Sequence, residues 1–173
     1  MLAKIMFYTF ERKYTMKKVC FTGHRLIKKS AIEILRTELY TRLETLAENG
    51  YTDFYSGGAL GWDTLCSETV LALKDKHPDV KLHMVLPCPP RQQTLKWRPS
   101  DIQRYNGILS GADSIEIVSP RYTSECMLER NLRLAQLADL CICFFDEKRA
   151  SSGTGQTLRF MKNNNIPIEN MFI

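Results

Sequence analysis

The sequence contains the run Ser56-Gly57-Gly58-Ala59-Leu60-Gly61-Trp62-Asp63, which follows a β-prone segment, 53–55, and precedes a helical pattern that begins at residue 64. A strand, a glycine-rich turn and a helix in this order are typical of a phosphate-binding site. Glycines let the backbone turn sharply and let an anion come close. The helix N-terminus adds unpaired N–H groups and a partial positive charge. The G-G-x-x-G spacing differs from the dinucleotide fingerprint G-x-G-x-x-G, so a tight turn without a ligand is the alternative interpretation.

Apolar runs and helical patterns alternate along the chain on both sides of this turn. Strands are predicted at 19–22, 53–56, 81–86, 114–118 and 140–145, with a further one within 166–173, and helices at 30–49, 60–76, 101–109, 125–138 and 157–163. Ser30 is expected to cap the first helix. The run 140–145 is apolar throughout, as in a strand buried on both faces. The alternation predicts a Rossmann-like, doubly wound α/β fold with a mainly parallel sheet and helices on both faces.

The length of 173 residues suits one domain. We expect residues 1–15, which precede a further methionine, Met16, to be an N-terminal arm or the product of an early translation start, and residues 16–173 to form a single Rossmann-like domain. No apolar run approaches the roughly 20 residues that would span a bilayer, so no membrane partner is expected. None of the six cysteines forms a C-x-x-C pair. They are interpreted as buried free thiols in a cytoplasmic protein, and neither a metal nor a cofactor is expected.

Ligands of doubly wound sheets bind outside the carboxyl ends of the strands, so the residues that follow each strand predict the site. These are Gly23, His24 and Arg25 after the first strand, the glycine turn after the second, Pro87 after the third, Arg121 after the fourth, and Asp146 and the loop 151–157 after the fifth. Arginines suit phosphate because they bind it in bidentate fashion.

Four candidate residues have two interpretations each. His24 could serve as an acid or base, or as a hydrogen-bond donor. Asp63 could contact a ligand or cap its helix. Arg130 and Asn131 share a helix face that either lines the mouth of the site or is an ordinary solvated polar face.

Four segments form a recognisable set: Thr22-Gly23-His24-Arg25, the run 56–63, Arg130-Asn131 and Gly153-Thr154-x-x-Thr157. Together they resemble the SLOG superfamily, and within it the YpsA/YoqJ-like proteins of Gram-positive bacteria and their phages. The superfamily includes DNA-processing DprA/Smf proteins and LOG phosphoribohydrolases. The resemblance implies a Rossmann-like fold that binds nucleotides or nucleotide-derived molecules, often as a homo-oligomer. The ligand-binding residues expected from position and resemblance together are Gly23, His24, Arg25, Ser56, Gly57, Gly58, Ala59, Gly61, Asp63, Pro87, Arg121, Arg130, Asn131, Asp146, Gly153, Thr154 and Thr157.

Three functions are compatible with these features. The first is binding of an ADP-ribose-type ligand, as a sensor or a sequestering protein. The second is hydrolysis of an N-glycosidic bond, with Glu68, Asp63 or Asp146 as acid or nucleophile; the resemblance puts Thr157 where LOG enzymes carry their catalytic glutamate. The third is binding of single-stranded nucleic acid, for which the net charge of +5 and the aromatic residues Trp97, Tyr105 and Tyr122 would be suited.

Overall fold

The computed structural model describes residues 17–149 and 152–173. The predicted N-terminal arm lies outside these residues and stays a prediction. Six strands form one sheet in the order β4-β3-β2-β1-β5-β6, and every neighbouring pair is parallel. The strands are β1 (Lys17–Gly23), β2 (Tyr51–Ser56), β3 (Lys81–Leu86), β4 (Ser114–Ile117), β5 (Leu140–Phe144) and β6 (Ile168–Asn170). The predicted parallel sheet is confirmed.

Helices cover both faces of the sheet, as predicted. They are α1 (Ile32–Glu48), α2 (Trp62–Leu73), α3 (Pro90–Gln93), α4 (Pro99–Gly111), α5 (Cys126–Leu137) and α6 (Gly153–Asn163). Helices α1 and α2 pack together on one face, where α4 contacts α2, and α5 and α6 pack together on the other. No helix of the described segments is long and apolar enough to cross a bilayer.

The core has one apolar layer on each side of the sheet. Phe21, Phe54 and Trp62 belong to the layer beneath α1 and α2, and Cys141 and Met161 to the layer beneath α5 and α6. All five residues of β5 are buried, which confirms the prediction made from its apolar run. The six cysteines are buried free thiols, also as predicted.

Three local predictions need correction. Ser30 does not cap α1: a 3-10 turn, Lys29–Ala31, precedes the helix, whose N-cap residue is Ala31 and makes no side-chain capping hydrogen bond. The short helix α3 was not foreseen. It starts at Pro90, a residue whose fixed φ suits the first helical position. Helix α6 begins at Gly153 rather than at residue 157, because the Ser152 hydroxyl accepts a hydrogen bond from the Gly155 N–H at 3.2 Å.

The strand order creates a crevice beside β1. From β1 the chain proceeds outward through β2, β3 and β4, and then returns to form β5 on the other side of β1. The loops after β1 and β5 therefore diverge at the carboxyl edge of the sheet. Such a switch point is where doubly wound folds leave room for a ligand.

Candidate functional site

A cleft of about 610 Å³ lies at this switch point and is called the first cleft below. It is bounded by the loop after β1, the glycine turn before α2, one face of α5 and the N-terminus of α6. The structure brings together ten of the predicted residues in its lining: Gly23, His24, Arg25, Ala59, Asp63, Arg130, Asn131, Gly153, Thr154 and Thr157. Residues separated by more than 130 positions in the chain thus meet around one cavity.

Arg130 reaches the cleft from α5 and is only 7% exposed. Its Nη1 donates a 2.6 Å hydrogen bond to the Gly57 carbonyl oxygen and lies 3.7 Å from the Asp63 carboxylate. Its Nε is buried and has no hydrogen-bond partner among the described residues. A buried N–H of a charged group without a partner is costly, so the described residues leave the hydrogen bonding of this guanidinium incomplete. Arg130 is therefore not part of a solvated helix face.

Asp63 faces Arg130 from the first turn of α2. Its Oδ2 accepts a hydrogen bond from the Ala59 N–H at 3.2 Å, within the turn that precedes the helix. Asp63 therefore fixes the turn and does not cap α2, whose N-cap position is Gly61. Burial raises the pKa of Asp63, although Arg130 opposes the effect. Burial also lowers the pKa of Arg130, and the nearby Arg25 adds to this effect while Asp63 opposes it.

The glycines of the turn serve the packing of the protein. A Cβ on Gly57 would lie 1.8 Å from Arg130 Nη1, and one on Gly61, whose φ is +80°, would lie 2.3 Å from the Arg25 carbonyl oxygen. Gly58 has φ +65° and faces core side chains of β3 and α4. The expectation that Gly57 and Gly58 admit a phosphate is corrected: Ala59 and Leu60 are the residues of this turn that contact the cleft.

Ser56 is fully buried beneath the same turn. Its hydroxyl accepts hydrogen bonds from the Ser67 hydroxyl at 2.9 Å and from the Gly58 N–H at 3.3 Å. It therefore holds the turn from below and does not line the cleft.

His24 links the loop after β1 to the loop after β5. Its Nε2 accepts a hydrogen bond from the Asp146 N–H at 2.9 Å, so this nitrogen carries no proton and the side chain is not a donor there. Burial, and then the charge of Arg149, lower the pKa of His24. The His24 ring lies near those of Phe144 and Phe145, with centroid distances of 6.5 and 5.5 Å. A neutral His24 therefore holds the β5 loop in place beside the cleft.

The N-terminus of α6 borders the cleft opposite Arg130. Gly153 and Thr154 line it, and a Cβ on Gly153 would meet no atom within 4 Å. The Thr157 hydroxyl donates to the Gly153 carbonyl oxygen at 3.0 Å, so it is engaged within the helix. The first amides of a helix lack intrahelical acceptors and carry the positive end of its dipole, which favours an anion here.

A second cleft, of about 730 Å³, adjoins the first and shares Arg25, Ala59, Met127 and Arg130 with it. Its other walls are α3 with the segment that follows it, and Tyr122. Sequence reasoning names two of its aromatic residues, Trp97 and Tyr122, as suited to nucleic acid. It missed Gln93, whose side chain joins the Tyr105 hydroxyl at 2.8 Å to the Gly58 carbonyl at 3.0 Å.

The remaining predicted residues lie elsewhere. Glu68 is on the outer side of α2, where it pairs with Arg104 at 2.9 Å and with Arg36 at 3.4 Å, so it is wrong as a candidate acid in this cleft. Pro87 is buried and accepts a hydrogen bond from the Ser119 N–H. Arg121 is exposed and contributes its carbonyl oxygen to the Ser119 hydroxyl.

Asp146 acts through its backbone bond to His24, and its Oδ1 accepts from the Lys148 N–H. The cleft also includes Arg149, which sequence reasoning missed. Its position after the fifth strand, just before the loop 151–157, could have identified it as a candidate. No three His, Cys, Asp or Glu side chains gather as metal ligands within residues 17–149 and 152–173.

Comparisons with known proteins agree with this architecture. The family model described as the YspA SLOG family matches residues 19–171. A UPF0398 protein of Bacillus pumilus (strain SAFR-032) is 26% identical over 146 residues, which are 79% of this chain and 77% of that protein. The UPF0398 protein BH1768 of Halalkalibacterium halodurans is 25% identical over 146 residues, 79% of this chain and 76% of that protein.

Among solved structures, DNA processing protein A from Helicobacter pylori, described for its single-stranded DNA binding mode, is similar with a TM-score of 0.61 and 23% identity. The alignment covers 90% of this chain but 65% of that one, so this chain spans less than two thirds of that structure. The likeness confirms the Rossmann-like α/β fold.

Proposed function

The chain belongs to the YspA SLOG family, and we propose that it binds an anionic, nucleotide-derived small molecule of the ADP-ribose type in the first cleft, as a sensor or a sequestering protein. The observation that carries this proposal is Arg130. It is a buried cation that lines the cleft and is held by Gly57 and Asp63 at the switch point of the sheet, and its Nε has no partner among the described residues. A phosphate in the cleft would balance the charge of this guanidinium.

The charge balance of the cleft supports an anion. Arg25, Arg130 and Arg149 line it, and Asp63 is the one carboxylate among its described lining residues. Arg25 lies close enough to Arg130 to lower its pKa, so two cations share this site and a bound phosphate would relieve their repulsion. The volume of about 610 Å³ is within the range of small-molecule sites.

Binding is favoured over cleavage by the positions of the carboxylates. Glu68 is engaged in ion pairs outside the cleft, and Asp63 is bonded to the Ala59 N–H beside Arg130. A glycosidase uses two carboxylates that flank the scissile bond. The cleft offers one such group, and Thr157 occupies the position where the resemblance would put a glutamate.

Single-stranded nucleic acid is the second candidate ligand. It is favoured by the likeness to DNA processing protein A and by the cations Arg25, Arg91 and Lys96 on the rim of the second cleft. Protein contacts with many phosphates would make binding strongly salt-dependent, with a loss of roughly 10³- to 10⁵-fold between 50 and 200 mM salt for 6–10 contacts.

The test is isothermal calorimetry of the purified chain with AMP, ADP-ribose and an oligothymidylate at both salt concentrations, followed by chromatography of the mixtures. We expect ADP-ribose to bind with an affinity that depends only weakly on salt, and to be recovered intact. Arg25→Ala should weaken binding about tenfold, whereas Lys81→Ala, which removes a charge at the opposite end of the strands, should not. Free base after incubation would indicate a hydrolase. Binding of the oligonucleotide alone would overturn the small-molecule proposal.

A further inference from the structure

The second cleft is lined by large apolar side chains that are exposed to solvent. Leu95 is 81% exposed and Tyr122 is 58% exposed, and both line it together with Trp97 and Met127. Exposed large apolar side chains gathered at one cavity commonly mark a binding surface. A flat aromatic ring such as a nucleobase would cover them, because bases stack on aromatic side chains.

The aromatic wall of the second cleft consists of Trp97 and Tyr122, and both residues are linked to neighbouring elements. The Tyr122 N–H donates to the Gln92 side-chain oxygen, which ties the loop before α5 to α3. The Trp97 ring packs edge-on against Tyr105 with the centroids 5.3 Å apart. Through Gln93 the same tyrosine connects to the Gly58 carbonyl oxygen of the glycine turn. The aromatic wall and the turn beside Arg130 are therefore one connected unit.

The first cleft also contains polar side chains. Asn131, Ser152 and Thr154 contribute amide and hydroxyl groups, which are suited to the hydroxyls of a sugar. Arg25 and Arg130 line both clefts and lie between these two regions. Two guanidinium groups are therefore available to phosphate groups at this junction.

From this arrangement, and resting on the proposed function, we infer that the ligand has two arms joined through phosphate. A planar base lies in the second cleft against Tyr122. The phosphates lie at the junction on Arg25 and Arg130, and a sugar lies in the first cleft near Asn131. Each cleft alone, at about 610 and about 730 Å³, has room for one arm. The second cleft is then a base-binding subsite, and Tyr122 determines specificity for ligands that carry a base.

The experiment compares ADP-ribose, which has a base, phosphates and a sugar arm, with ribose 5-phosphate, which lacks the base. Affinities are measured by calorimetry for the wild type and for Tyr122→Ala, Tyr122→Phe and Leu95→Ser. Ile115→Ser is the matched control, since Ile115 is an exposed apolar residue on the edge strand β4, away from both clefts. Circular dichroism confirms that each variant is folded.

Tyr122→Ala should weaken ADP-ribose binding roughly 5- to 100-fold, as expected for the loss of one stacking contact. The affinity for ribose 5-phosphate should change less than twofold. Tyr122→Phe keeps the ring and should restore the affinity for ADP-ribose. Leu95→Ser should also weaken ADP-ribose binding, and Ile115→Ser should bind ADP-ribose with the affinity of the wild type.

Unchanged ADP-ribose affinity in folded Tyr122→Ala would overturn the base subsite while leaving the phosphate site intact. An equal loss for both probes would overturn it as well, because the effect would then not depend on the base. If the wild type binds neither probe, the proposed function fails and this inference fails with it. Loss of oligothymidylate binding alone in Tyr122→Ala would assign the wall to nucleic acid and would also overturn the inference.

Discussion

Gly57→Ala should destabilise the protein through Arg130. The added methyl group would lie 1.8 Å from Arg130 Nη1 and 2.6 Å from Cζ, so the guanidinium must move. That movement breaks the 2.6 Å hydrogen bond to the Gly57 carbonyl oxygen, and hydrogen bonds to charged groups contribute about 1.5–3 kcal/mol. It also draws the cation away from Asp63, which is buried. We expect a loss of about 2–4 kcal/mol in the free energy of unfolding, in the range of other disruptions of buried charged networks.

Thermal and urea unfolding followed by circular dichroism measure this loss, which corresponds to a fall in Tm of about 4–16 °C for a domain of this size. Gly107→Ala is the matched control. Gly107 lies within α4 with open space at its Cβ position, so alanine should stabilise the protein by about 0.5–1 kcal/mol. In an Arg130→Met background, Gly57→Ala should cost at least 1 kcal/mol less than in the wild type. Wild-type stability of Gly57→Ala, or an equal cost in both backgrounds, would refute this reasoning.

Three further predictions concern His24, Glu68 and Gly153. Because the pKa of His24 is lowered in the folded state, the native protein binds fewer protons than the unfolded chain, so stability is full above about pH 6.5 and is lost as the pH falls through the folded pKa. His24→Gln should lose less stability than the wild type between pH 7.5 and pH 5. An equal change in urea midpoint between these pH values in both proteins would contradict this prediction. Glu68→Gln should leave ligand affinity unchanged and lower stability by at most about 1 kcal/mol, the range of exposed ion pairs, so lost binding in a folded variant would return Glu68 to the site. Gly153→Ala meets no protein atom and should keep its melting temperature but bind ligand more weakly, because the methyl group enters the mouth of the first cleft; equal affinity would remove the α6 N-terminus from the site.

Much of the fold could be predicted because its signals are local. The apolar run of β5 indicated burial on both faces, and the alternation of elements indicated a parallel sheet. The start of α6 could not be predicted with the same accuracy. Gly153 and Gly155 have low helix propensity, and what overrides it is the cap from Ser152 together with the packing of this helix against α5.

The candidate site was predicted in position but not in detail. Placing residues at strand ends located His24, Arg25 and the N-terminus of α6. The pairing of Arg130 with Gly57 joins residues 73 positions apart, and no local pattern encodes such a contact. For the same reason, sequence patterns suggested that Gly57 accommodates a phosphate, whereas Gly57 in fact leaves room for the Arg130 side chain. Glu68 remained a candidate acid because the long-range ion pairs that hold it outside the cleft have no local signal.

The central claim is that the Arg130 guanidinium binds the anionic part of the ligand. The most direct measurement is ADP-ribose affinity, by calorimetry, of the double variant Arg130→Met/Asp63→Asn. Removing both charges avoids leaving a buried carboxylate unpaired, and asparagine can still accept from the Ala59 N–H. We expect a folded protein whose affinity falls at least tenfold, which is about 1.4 kcal/mol or more. A folded double variant with wild-type affinity would contradict it.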